Sequence, residues 1–284
     1  MFKRRVAVSA EGKAAIRSLL EDLTYELIPL SNVLPQSEFL PAGARVSVTA
    51  SPAKGMQATV DLARELQKRG FEVVPHISAR LTHDHAQLDG ILEQLSDGSI
   101  TQAFVVGGDA DPPGEFFDGL ALLDAMEQIG HDLTIGIPGY PEGHNFISDE
   151  AIEQALVDKE PYARYMTTQM CFTPASIVDW ISRQRRRGIS LPVSIGIPGV
   201  AELRKLIGIS ARIGVGDSMK FLSKNTSLVG KLVRPGGYSP DDLIVGLSDT
   251  LADPDAAIES FHCYTFNQVE TTEAWRKDML ESLG

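Results

Sequence analysis

Glu26 is a carboxylate in an apolar setting. It sits in Tyr25-Glu26-Leu27-Ile28-Pro29-Leu30, where the other five residues are apolar or aromatic. A short apolar run closed by proline reads as a buried strand. A charge inside one is costly unless it is paired or neutral. Two readings stand side by side. In one, Glu26 points outward from an edge strand or pairs with an arginine. In the other it is a carboxyl held in its proton-bearing form at the mouth of a barrel, where it serves as a general acid.

Further polar residues recur wherever an apolar run ends. Thr49 closes Arg45–Ala50, and His76 nearly closes Phe71–Ile77. Asp109 follows Ala103–Gly107, and Tyr140, Glu142 and His144 follow Leu133–Ile137. Gln169 interrupts Tyr165–Phe172, and His262, Tyr264 and Asn267 belong to the last run. Each has a plain alternative. His76 can be a core histidine with a satisfied hydrogen bond. Asp109 can cap a helix or form the turn before Pro112-Pro113, and Gln169 can bond a nearby backbone group. A polar residue at nearly every run's end still points to a shared site. Gly107-Gly108-Asp109-Ala110-Asp111-Pro112-Pro113-Gly114 is the most distinctive loop, since paired glycines let a ligand approach the backbone. No Gly-Lys-Ser/Thr follows, so it is not a P-loop. His76, His144, Asp109 and Glu142 are chemically able to bind metal, but their spacing matches no local motif and no metal is expected.

The elements that must position these residues alternate regularly. Helical apolar spacing over 10–23 precedes the Glu26 strand. A loop with Pro35, Pro41 and Gly43 leads to strand 45–50. Helices at 56–69, 84–96, 117–129, 148–159 and 174–186 then alternate with strands, and a largely helical region at about 200–258 precedes strand 260–266. A final helix carries Trp275. Eight strands, mostly continuous apolar runs, fit a parallel sheet covered on both faces. The expected fold is α/β, a (β/α)8 TIM barrel with extra helices before strand 1 and between strands 7 and 8, forming one catalytic domain over 1–284. The absence of GxGxxG after the first strand weighs against a doubly wound dinucleotide fold.

Charge narrows the partners. With 38 acidic and 26 basic residues the formal net charge is −12, which argues against a broad nucleic-acid or anionic-membrane surface. Cys171 and Cys263 form no CxxC. The basic start, Met1 to Arg5, lacks an apolar core long enough for a signal peptide, and no stretch reaches transmembrane length. A soluble cytoplasmic protein is the default expectation, with its oligomeric state open.

Taken together, these motifs resemble the methylenetetrahydrofolate reductase family in its short bacterial form. Tyr25-Glu26-Leu27-Ile28-Pro29 resembles the first strand, Val46-Ser47-Val48-Thr49 the second and Pro75-His76 the third. Gly108-Asp109 with Pro112-Pro113-Gly114 is similar to the family's Gly-Asp-x-Pro-Pro, and Tyr140-Pro141-Glu142-Gly143-His144 to its Tyr-Pro-Glu-x-His. Thr168-Gln169 with Phe172 resembles the sixth-strand motif, and Phe261-His262-Cys263-Tyr264-Thr265-Phe266-Asn267 the terminal Phe-His-x-Tyr-Thr-x-Asn.

The resemblance implies an FAD-containing barrel. NADH or NADPH would reduce the flavin, which would reduce 5,10-methylenetetrahydrofolate. It casts Glu26 as the acid that helps open the methylene bridge, with Asp109 contacting the pterin and tuning the flavin. Thr49, His76, Gly108, Asp109, Tyr140, His144 and Lys159 would hold the flavin. Gln169, Ile209, Tyr264 and Gln268 would meet the folate or nicotinamide. The chain departs from the family at Gly107 and Gln268, both usually arginine, and at Ile209, usually aromatic. Losing an arginine removes a charge-assisted contact to phosphate. Two outcomes therefore stay open: FAD held loosely, or direct hydride transfer from NADH. Rival readings are a folate-dependent one-carbon or methyl transferase and a non-catalytic folate- or flavin-binding barrel.

Overall fold

The computed structural model describes residues 8–144, 147–200 and 239–284. Eight parallel strands close into a barrel in sequence order, β1 to β8. They are Thr24–Leu27, Arg45–Val48, Glu72–Ser78, Gln102–Val106, Thr134–Gly139, Tyr165–Thr168, Val193–Pro198 and Ile258–Tyr264. β1 pairs with β8 through Thr24↔His262 and Glu26↔Tyr264, which closes the ring. The chain folds as the expected (β/α)8 TIM barrel.

Helix α1 (Ala10–Glu21) precedes β1, and its Ser9 Oγ accepts the Gly12 N–H at 3.0 Å. This N-cap satisfies a donor that has no partner inside the helix. α3 (Gly55–Lys68), α4 (His85–Asp97), α5 (Gly119–Ile129), α6 (Asp149–Lys159) and α7 (Pro174–Arg186) follow β2 to β6 in turn. The short helices α8 (Asp241–Gly246) and α9 (Ser248–Leu251) precede β8, and α10 (Val269–Ser282) follows it. No helix among the described residues is long and apolar enough to cross a membrane.

One loop expectation is corrected. Val33–Ser37, placed in a loop on account of Pro35, is a short helix, α2. Pro35 lies in its first turn, where a missing N–H costs nothing. Ile209, and most of the helical region expected over about 200–258, lie outside the described residues.

The apolar core lies between barrel and helices. The outward residues of β1, Tyr25 and Leu27, are buried along with Val46, Val48, Ile135 and Ile137, and with Ile16, Leu20 and Leu66 from the helices. The barrel interior differs. β1, β2, β6, β7 and β8 turn Thr24, Ser47, Thr167, Ser194 and Ser260 inward. A TIM barrel is ordinarily filled by layers of bulky branched side chains. These small hydroxyl residues instead leave a chamber of about 370 Å³ in the lower half. Ser260 Oγ donates to Ser194 Oγ at 2.7 Å inside it.

Candidate active site

The carboxyl ends of the strands open into a cavity of about 940 Å³. Glu26, 9% exposed, stands on its floor. Its main chain is held from the far end of the sequence: Thr265 Oγ1 donates to the Glu26 carbonyl at 2.6 Å. Two residues on, Asn267 Oδ1 accepts the Ile28 N–H and Asn267 Nδ2 donates to the Ile28 carbonyl, both at 2.8 Å. Phe266 and Asn267 both take positive φ, 51° and 54°, so the chain turns sharply enough for Asn267 to reach back under β1. That backbone conformation is uncommon outside glycine, and asparagine tolerates it best.

Two histidines meet the Glu26 carboxyl. His262 Nε2 lies 3.1 Å from Glu26 Oε2, and His76 Nε2 lies 4.0 Å from the same oxygen. His76 Nε2 also stands 2.7 Å from Ser47 Oγ. Burial depresses the His76 imidazole to about 4; the Glu26 charge opposes this and His262 adds to it. His76 is therefore neutral at physiological pH, and its approach to Glu26 is not an ion pair. His262 lines the lower chamber as well as touching Glu26. Phe104 and Thr167 border both spaces, so they form part of the partition between them.

The far wall comes from β5, β6 and the loops after them. Glu142 Oε1 accepts the Phe172 and Thr173 N–H groups at 3.1 and 3.0 Å, tying the β5–α6 loop to the start of α7. Burial raises the Glu142 carboxyl, and those two donors hold it down in part. Glu142 and Gln169 line the cavity, and their Oε2 and Oε1 atoms are buried without a hydrogen-bond partner. Buried acceptors of this kind call for a donor. Tyr264 donates to the Thr168 carbonyl at 3.0 Å, and burial raises its hydroxyl well above the ordinary value.

The cavity brings Glu26, Thr49, His76, Asp109, Tyr140, His144, Gln169 and Tyr264 together. Gly108 belongs to the same loop as Asp109, at φ 80°, and a Cβ there would overlap Ser78 Oγ. Only glycine fits. Two expected residues do not line the cavity. Lys159, at the end of α6, packs its Cδ against Gly119, and burial lowers its ammonium while Asp118 opposes. Gln268 precedes α10 at the N-cap position, and its side-chain nitrogen is buried without a partner. Trp180 and Arg183 of α7 line the outer arm unanticipated, since their helical spacing reads as ordinary core and solvated face.

The model of the family described as methylenetetrahydrofolate reductase matches residues 36–279. The chain belongs to that family. A curated relative, methylenetetrahydrofolate reductase 1 of Schizosaccharomyces pombe, is 31% identical over 68 residues, which is 23% of this chain and 11% of the relative. Among solved structures, a Toxoplasma gondii ME49 protein provisionally assigned as deoxyribose-phosphate aldolase has a TM-score of 0.49 at 11% identity, covering 96% of this chain and 98% of that one. A 2,3-dimethylmalate lyase has a TM-score of 0.43 at 12% identity, covering 84% and 96%. Likenesses of this size carry nothing about the chemistry.

The family is generally flavin-dependent, and the residues here suit the ring better than the phosphates. Thr49, His76, Tyr140 and Gln169 line the cavity and offer polar groups to a heterocycle. Among the described residues, Arg183 is the sole Arg or Lys that lines the cavity, and Glu153 Oε1 already holds its Nε at 2.7 Å. Lys159 lies beside Gly119, outside the lining of the cavity.

Proposed function

We propose that this chain reduces 5,10-methylenetetrahydrofolate to 5-methyltetrahydrofolate with electrons from NADH or NADPH, and that the barrel acts as a single catalytic domain. The observation that carries the reading is Glu26. It is a carboxyl on the floor of a large cavity, backed by two imidazoles and seated by the terminal Thr265–Asn267 turn, in a chain of the methylenetetrahydrofolate reductase family.

The reaction adds one hydride and one proton. The bond between N10 and the methylene carbon breaks, its electron pair goes to N10, and Glu26 delivers the proton there. The hydride adds to the methylene carbon, now double-bonded to N5, and yields the methyl group. Asp109 and Gln169 would accept pterin N–H groups. His262 touches Glu26 above and the lower chamber below, so a proton spent by Glu26 is replaced from that side. FAD, held by Thr49, His76 and Tyr140 with Lys159 near its phosphates, would supply a hydride relay between nicotinamide and folate.

The test is NADH and NADPH oxidation by the purified protein with 5,10-methylenetetrahydrofolate, with and without added FAD, alongside its visible spectrum. A charge-assisted hydrogen bond contributes about 1.5–3 kcal/mol. With Gly107 in place of an arginine, FAD should therefore bind about ten- to a hundred-fold more weakly than with one. Folate-dependent NADH oxidation is the expected outcome. No oxidation of either nicotinamide, with or without FAD, refutes the reductase and leaves a transferase.

A further inference from the structure

Two histidines from separate strands meet the Glu26 carboxyl. Nε2 of His76, Nε2 of His262 and a carboxyl oxygen of Glu26 all lie within 4.8 Å of one another. Three separate strands, β1, β3 and β8, present them, so their spacing is fixed by the barrel wall rather than by a loop.

We infer that Glu26, His76 and His262 form a three-ligand site for a divalent transition-metal ion, zinc above all, whose binding shuts the enzyme off. Ligands at about 2.0–2.1 Å from a tetrahedral zinc lie roughly 3.4 Å from each other. The two separations to Glu26 Oε2, 3.1 and 4.0 Å, bracket that value. Two imidazole nitrogens and one carboxylate suit zinc, cobalt or iron and not magnesium or calcium, which take oxygen donors. Glu26 and His76 face the upper cavity, so the fourth position opens to water or ligand. The His76 nitrogen needs only to leave Ser47 Oγ to bind a metal. Sequence spacing hid this set, because its members lie 50 and 186 residues apart along the chain.

Inhibition follows from the proposed reading of Glu26 as the acid: a carboxylate bound to zinc delivers no proton, and the metal stands where the folate must approach. Binding itself does not depend on that reading. The experiment titrates chelator-stripped, untagged protein with cobalt(II), followed by visible absorption and by displacement with zinc. The expected result is one equivalent of cobalt with the ligand-field spectrum of a four- or five-coordinate nitrogen–oxygen site, lacking thiolate charge transfer. His76→Gln and His262→Gln should each weaken binding at least tenfold, a loss that even outer-shell changes reach. Thermal melts of both variants without metal establish that they fold. If either fails to fold, competition of 5-methyltetrahydrofolate with cobalt on the unaltered protein supplies the second readout. No saturable spectrum at millimolar cobalt, or affinity unchanged in a folded double variant, overturns the site. Cobalt binding that leaves folate-dependent NADH oxidation intact overturns the inhibition alone.

Discussion

Glu26→Gln is the substitution that separates chemistry from architecture at this site. The structure sets the expected size of the effect. The seat of residue 26 is made by main-chain contacts, from Thr265 to its own carbonyl and from Asn267 to Ile28, and the amide leaves them untouched. The side-chain contact also survives: an imidazole N–H of His262 can donate to the glutamine oxygen across the present 3.1 Å. The change therefore removes a transferable proton and little else. Stability should move by less than about 1 kcal/mol, the usual range for a substitution that opens no cavity and orphans no group. Proton delivery by a positioned acid contributes about 10²–10⁴-fold to rate, or roughly 3–5 kcal/mol of barrier. The assay is kcat for folate-dependent NADH oxidation, with the Kd for 5-methyltetrahydrofolate measured by fluorescence and the Tm by calorimetry. The expected pattern is a kcat lowered by that factor with Kd and Tm nearly unchanged. A kcat within a few-fold of the unaltered protein removes Glu26 from the mechanism. Loss of Tm and affinity together with rate means that Glu26 is a structural residue.

Three other outcomes can be checked separately. Asn267→Ala should destabilise the protein by about 1–3 kcal/mol in urea unfolding, because it leaves the buried Ile28 N–H unpaired, while the Ile28 carbonyl keeps the Leu30 N–H; a loss well under about 1 kcal/mol would mean that water takes its place. Gly196→Ala should cost at least about 1–3 kcal/mol, since its Cβ would overlap the carbonyl oxygens of Thr168 and Gln169, which are backbone and cannot swing aside; a stable, fully active variant would show that β6 can shift. Tyr25 is buried and donates to Glu273, and burial together with that carboxylate raises its hydroxyl far above 10. Unfolded Tyr25 ionises near pH 10 and folded Tyr25 does not, so its stabilisation is full below pH 10 and declines above it by about 1.4 kcal/mol per pH unit. Unfolding free energies between pH 9 and 11 should fall more steeply for the unaltered protein than for Tyr25→Phe, and parallel curves would remove Tyr25 from the alkaline transition.

The barrel was legible because its strands are apolar runs with helices between them, a pattern that two-sided burial imposes on every strand alike. Strand ends were legible for the same reason: Thr49, His76 and Tyr140 interrupt that pattern where a strand leaves the core, and all three line the cavity. Lys159 and Gln268 show what a motif leaves open. Lys159 ends a helix and Gln268 follows the last strand motif, and neither lines the cavity. The pairing of Glu26 with His262 bridges 236 residues, and no local pattern carries it. Alternation within Phe261–Tyr264 does put His262 and Tyr264 on one face of β8, but the register against β1 makes that face useful. α2 was missed because Pro35 is a loop signal everywhere except in a helix's first turn. The hydroxyl-lined lower chamber was overlooked because serine and threonine inside an apolar run pass for ordinary strand residues.

The Thr265–Asn267 turn has a consequence for how the protein is made. It reaches Glu26 and Ile28 across 239 residues of chain. A ribosome therefore releases β1 long before the atoms that seat its carboxylate exist. Until β8 arrives, the edge of β1 that β8 will cover is open, and Glu26 has neither His262 nor its main-chain clamp. Closing so long a loop is entropically slow. The seat of Glu26 thus forms last, with the final strand. A nascent chain arrested short of Asn267 holds most of the cavity wall but lacks the complete clamp on β1.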